Sequence, residues 1–338
     1  MTAMSLLPRR ARGRISAADE TLYQSRVDEF CELIRGIQKT LDFKVSSRGW
    51  CYILEDRIGL LKGEFDKAQD LVNACRKSGK LPLDICADDE TRSTLHVPYC
   101  SKETPACFAQ DIIERIRWAH LGYAPFMIWD DLDVYVEMFV EKVDLKNLFE
   151  PVCRHFQVPL TNAKGWSDIN SRADMIERFA EWESKGKQCV LLLCGDHDPG
   201  GLAISGFMRS NLADLTPATG FDPSNLVITR FGLNHDFIEG NRLSWIENLE
   251  TSSGRRLDDP RHPDHNREYV RNYIRQFGVR KVEANALVVR AEAGRELCRQ
   301  AILQHVPADA VRNYERKLRT AQAEVRDHVR RLLSEAAE

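Results

Sequence analysis

The run Cys189-Val-Leu-Leu-Leu-Cys194, followed at once by Gly195-Asp-His-Asp-Pro-Gly-Gly201, constrains this chain more than any other segment. Continuous apolar residues without polar alternation fit a strand covered on both faces, the texture of a parallel sheet flanked by helices. Pro-Gly-Gly behind two aspartates ends the strand and opens a helix. Ligands of open parallel sheets bind beyond the carboxyl ends of the strands, and that is where Asp196 and Asp198 fall. Two carboxylates spaced i, i+2 repel and raise each other's pKa unless a cation lies between them. Oxygen ligands without a Cys/His set at zinc spacing favour Mg²⁺, or Mn²⁺, over zinc.

The neighbouring segments extend the pattern. Val134–Val140 alternates, is β-rich and ends at Glu141, a third carboxylate at a strand end. Helical periodicity over 144–156, 172–185 and 201–212 alternates with strands at 158–160 and 226–229. An α/β fold with a parallel sheet is therefore expected over 125–305. Upstream, Leu22, Val27, Phe30, Leu33, Ile34 and Ile37 fall at helical intervals, and Ser46-Ser47 can cap a helix carrying Trp50, Ile53 and Leu54. A further helix over 64–76 and an extended stretch at Leu81–Cys86 suggest a winged-helix-like module over 21–120. Residues 1–20 read as a flexible basic tail and 306–338 as a charged C-terminal helix, serving terminal packing or an oligomer contact.

Composition narrows the function classes. The 338 residues carry 48 Lys+Arg against 51 Asp+Glu, a formal charge of −3. That excludes a histone-like coat but not local basic patches. Residues 254–281 hold eight Lys/Arg and four Asp/Glu, interleaved with Tyr269, Tyr273 and Phe277, a mixture suited to nucleic acid. No apolar run is long enough to span a membrane, and the N-terminal arginines precede no apolar stretch of secretory type. Ten cysteines without a CxxC pair read as reduced core thiols in a cytoplasmic protein. His262-Pro-Asp-His265 is a weak candidate metal pair, His197 is expected to be a solvent-facing spacer, and Ser205 lacks a hydrolase elbow. The absence of GxxxxGK[ST] argues against an ATP-binding P-loop.

A strand ending in Glu and a later one ending in Asp-x-Asp-Pro-x-Gly resemble a Toprim domain. Val140-Glu-Lys142, Lys164-Gly165 with Arg172, and Gly195–Gly201 resemble the A subunit of topoisomerase VI, whose family includes the meiotic double-strand-break transesterase. Ser46-Ser-Arg-Gly-Trp-Cys-Tyr52 is similar to that family's Arg-x-x-Tyr-Tyr stretch, with Cys51 where the first tyrosine stands. Arg230-Phe-Gly-Leu233 and Val282-Glu-Ala-Asn-Ala-Leu287 resemble later parts of the same domain. The resemblance implies a DNA-cleaving tyrosine transesterase, with Tyr52 as nucleophile, Arg48 assisting it, and Glu141, Asp196 and Asp198 holding Mg²⁺. Arg92, Lys164 and Arg172 would contact phosphates of double-stranded DNA.

It further implies a homodimer making double-strand breaks with 5′-phosphotyrosyl ends, and a separate GHKL-type ATPase subunit as partner. A tyrosine of pKa near 10 is about one part in a thousand phenolate at neutral pH, so Tyr52 needs help from a cation. Two other readings stand beside this one. One is a Toprim nuclease that hydrolyses DNA with metal-activated water and has no role for Tyr52. The other is a non-catalytic DNA-binding or assembly protein.

Overall fold

The computed structural model describes residues 7–10, 16–87, 98, 103–162, 169–251 and 254–335. α1 (Ala17–Gln38) starts at a capping box in which Ser16 and Asp19 satisfy each other's backbone amides. It buries the stripe Val27, Phe30, Cys31, Ile34 and Ile37, as its periodicity requires. α2 (Ser47–Ile58) is capped by Ser46, whose Oγ accepts from the Gly49 amide at 3.1 Å, and α3 (Phe65–Lys77) ends at Ser78. The stretch at Leu81–Cys86, expected to be extended, instead forms a short 3₁₀ turn at Leu83–Ile85. Pro82 fixes the entry angle, and Trp50 Nε1 donates to Ile85 O at 3.0 Å, which pulls the turn inward. α4 (Pro105–Trp118) packs against the C-terminal helix.

The sheet comprises β1 (Val134–Val140), β2 (Leu160–Asn162), β3 (Gln188–Cys194) and β4 (Val227–Gly232), all parallel, in the order β2-β1-β3-β4. α5 (Val143–Phe156) follows β1, α6 (Ile169–Ser184) crosses to β3, and α7 (Pro199–Ala213) follows β3. Right-handed crossovers put α5 on one face and α6 and α7 on the other. Leu191, Leu192 and Leu193 are consequently inaccessible to solvent, the burial their unbroken apolar run predicts. Strand order reverses direction between β1 and β3, so the crevice at their carboxyl ends is the topological switch point of the sheet.

Short helices α8 (Thr216–Thr219) and α9 (His235–Gly240) flank β4, and α10 (Glu268–Phe277) lies against α7. α11 (Ala291–Leu303) packs on α5, and α12 (Ala310–Glu335) runs along residues 121–131. There Gln322 donates to Leu121 O, Tyr314 meets Phe126, and Lys317 pairs with Asp131. The nine described cysteines are free thiols, and all but Cys107 are buried. Among the described residues no helix is long and apolar enough to cross a membrane.

The helical N-terminal segment is tied to the sheet by a buried carboxylate. Asp144, at the start of α5, accepts from the Ser46 amide, from Ser46 Oγ at 2.6 Å and from Asn285 Nδ2 at 2.9 Å. Asn285 lies in the 3₁₀ segment Ala284–Arg290, on which α2 packs. Ser46 thus caps α2 and anchors it to the α/β core.

Candidate metal centre

β1 and β3 are in register over their full length, from Val134 opposite Gln188 to Val140 opposite Cys194. Glu141 and Gly195-Asp196 therefore leave the sheet side by side. Their separation is small enough that a Cβ on Gly195 would lie 2.8 Å from Glu141 Oε2. The turn beyond is equally tight, since a Cβ on Gly201 would fall 2.0 Å from Asp196 O. Asp198 is extended at φ −143°, ψ 175° and caps α7, its Oδ1 accepting from the Gly201 amide at 2.6 Å. Arg230 grips both ends of the turn, donating to Gly201 O at 2.9 Å and Asp196 O at 3.2 Å. These contacts fix the backbone from which both aspartates project.

Glu141 Oε2 accepts from the Asp196 amide at 2.9 Å, and Asp196 Oδ1 accepts from the Ala284 amide at 2.7 Å. Their other oxygens meet one positive charge. The Lys142 ammonium lies 2.6 Å from Glu141 Oε1 and 2.9 Å from Asp196 Oδ2. Burial lifts the Asp196 carboxyl to about 7, with Lys142 opposing and Glu141 and Asp198 adding to the rise. Burial also acts to raise Glu141, but Lys142 and the Asp196 amide outweigh it and hold the carboxyl below its ordinary value. Asp198 is raised by burial.

These positions fit a cation in part. Glu141 and Asp196 already share one, and Asp198 lines the same cleft, but its Oδ1 is engaged as a helix cap. Among the described residues no three carboxylate, histidine or cysteine side chains converge as a ready ligand set. The cleft encloses about 860 Å³. Arg48, Lys62, Lys142 and Lys281 line it against seven acids: Asp66, Glu141, Asp196, Asp198, Glu250, Asp264 and Glu283. A lining with three more acids than bases repels phosphate unless added cations reverse its sign.

Tyr52 is 1% exposed and packs edge-on to Phe65 with centroids 5.1 Å apart. Its hydroxyl donates to Glu283 Oε2 at 2.8 Å, and Lys62 sits over its ring. Burial pushes the phenol well above its ordinary pKa, and the Glu283 charge pushes the same way. Arg48, expected to assist the phenol, spends its hydrogen bonds on Glu283 instead, at 3.2 and 3.3 Å. Burial opposes ionisation of Glu283, but Arg48 and the Tyr52 hydroxyl win and keep it a carboxylate. A carboxylate so held is a poor acceptor for the tyrosine proton.

The remaining expected residues divide. Arg172 donates to Asn211 O at 3.0 Å, near the end of α7, and is not among the residues lining the cleft. Arg92 and Lys164 lie outside the described residues. His262 lines the cleft, but its Nδ1 accepts from the Asp264 amide, while His265 Nδ1 lies 2.9 Å from Leu257 O. Each ring has a local role in its loop, and the two are not joined as a metal pair.

His197 overturns the expectation of a solvent-facing spacer: it is 1% exposed. An extended chain sends alternate side chains to opposite sides, so the aspartates face the cleft and the histidine faces inward. It packs against Trp245, Tyr273 and Phe277, and its backbone pairs with Val282 at 2.8 and 3.1 Å. Burial lowers its pKa to about 4. A base with a depressed folded pKa stabilises fully above its unfolded value and loses that contribution as pH falls. NMR titration of the His197 ring is expected to give a midpoint near 4. Its share of folding stability should decline as pH falls from about 6.5 toward that midpoint. A midpoint at 6 or above refutes the buried neutral assignment.

Lys142, Lys62 and Glu283 are cleft residues to which sequence reasoning assigned no role. Glu283 stands 231 positions from Tyr52, so no local pattern links them. Lys142 adjoins a flagged carboxylate, and its charge was the available signal. Compared with protein-family models, curated proteins and solved structures, the chain matches none.

Proposed function

We propose that this chain is a divalent-cation-dependent enzyme that cleaves DNA phosphodiesters, with water as the attacking group in the arrangement described. The observation that carries the proposal is the convergence of Glu141 and Asp196 on the single Lys142 ammonium at the switch point, with Asp198 in the same acidic cleft. The parallel order β2-β1-β3-β4, with acids at adjacent strand ends, supports the Toprim resemblance, and with it DNA and Mg²⁺ or Mn²⁺. The helices α1, α2 and α3 support the winged-helix-like, DNA-binding reading of the N-terminal module.

Glu141, Asp196 and Asp198 would hold the cation, which supplies charge neutralisation of the phosphate and polarisation of the scissile P–O bond. Arg230 keeps the aspartate turn in place, while Lys62 and Lys281 present positive charge to phosphate along the cleft.

The tyrosine transesterase remains the second reading. One contact favours it: the Tyr52 hydroxyl touches Glu283, a carboxylate of the same cleft. That reading needs the phenol freed from Glu283 and brings in a second copy of the chain for paired breaks. Plasmid incubated with Mg²⁺ or Mn²⁺ separates the two. Wild type and Tyr52→Phe should both produce breaks, at rates within about threefold and without covalent protein–DNA adducts, since the lost group only donates to Glu283. Adducts in wild type that vanish in Tyr52→Phe, together with the breaks, establish the transesterase instead. Metal-independent DNA binding without breaks leaves only a binding protein.

A further inference from the structure

We propose that Lys142 is a resident occupant of the cation position, and that an entering divalent ion must displace it toward substrate phosphate. The inference rests on the metal reading of the cleft. Lys142 directly follows Glu141 and is the N-cap residue of α5, in extended conformation at φ −119°, ψ 147°. From there its side chain folds back over its own neighbour to reach oxygens 2.6 Å away on Glu141 and 2.9 Å away on Asp196. The Asp196 side chain is only 11% exposed, so its negative charge has little water to screen it. A single ammonium therefore offsets one of the pair's two negative charges in the resting protein.

The same oxygens cannot serve an ammonium and a divalent ion at once. The two occupants compete, and the lysine has the advantage of being covalently tethered. Its side chain is 31% exposed, so the head group has a route into the cleft on a flexible four-carbon stem. A phosphate in the cleft offers the ammonium an alternative partner. Phosphate and metal would then assist each other's binding by one shared factor, as linkage requires. A lysine that merely props the loop would leave metal affinity untouched.

Calorimetric titration of Mn²⁺ into the protein without nucleic acid tests this in wild type, Lys142→Met, Lys142→Gln and the double variant Lys142→Met/Glu141→Gln. Removing a unit charge about 3 Å from the ligand oxygens should tighten Mn²⁺ binding about tenfold or more, and the double variant should lose it. A short oligonucleotide with non-hydrolysable linkages should tighten Mn²⁺ binding to wild type by a larger factor than it does in Lys142→Met. Circular dichroism identifies a variant that fails to fold, and the other neutral substitution then carries the comparison. Equal or weaker binding by the folded variants, with dependence on Glu141 intact, overturns the role of Lys142 while leaving the metal site standing. No binding to any of the proteins overturns both.

Discussion

Asp196→Asn should reduce DNA cleavage about a thousandfold or more, the scale of losing one electrostatic group that acts on the transition state. Folding stability should hold or rise. Asn keeps the oxygen that accepts from the Ala284 amide, and it removes a charge whose burial lifts the carboxyl to about 7. The folded chain is strained by that charge and keeps it for a reason other than stability. Initial rates of plasmid conversion with Mg²⁺, beside thermal melts of both proteins without metal, measure the two effects. Cleavage within tenfold of wild type would remove Asp196 from the reacting centre.

Arg178→Ala is expected to cost about 3–5 kcal/mol of stability, because it strands a buried carboxylate. Glu137, in the middle of β1, has no solvent exposure and takes two bonds from Arg178, at 2.7 and 2.9 Å, and one from the Tyr135 hydroxyl at 2.8 Å. Without the guanidinium, one phenol must carry the whole charge. Urea unfolding at neutral pH should show the midpoint fall, with cleavage by the remaining folded protein unaffected. Replacing both partners, as Glu137→Leu with Arg178→Leu, should recover most of the loss, since no buried charge is then left alone. A midpoint unchanged in Arg178→Ala would mean that Glu137 draws its stabilisation from elsewhere.

Local pattern revealed the sheet and the acids, but not the electrostatic partners. The run Cys189–Cys194 and the helix-opening Pro199 announced a buried strand and its exit, because both are consequences of neighbouring residues. Register did the rest: once β1 and β3 pair, Glu141 and Asp196 have to meet. His197 was misjudged because a polar residue between two acids resembles surface. The aromatic rings that enclose it come from residues 245, 273 and 277, beyond the reach of any local window. The Leu81–Cys86 turn was misjudged for a similar reason, its shape being set in part by Trp50. Tyr52 was found by resemblance, yet its burial behind Glu283 depends on a contact that only the folded chain makes.

The anchoring of Asp144 by Ser46 and Asn285 has a consequence for synthesis of the protein. The cleft draws on residues 48, 62, 141–142, 196–200 and 281–283, so a chain still on the ribosome holds only fragments of it. Until position 285 has emerged, α2 lacks one of the partners that seat it, and the acids at the ends of β1 and β3 lack the wall that faces them. Any product that ends before position 285 would therefore carry an incomplete cleft.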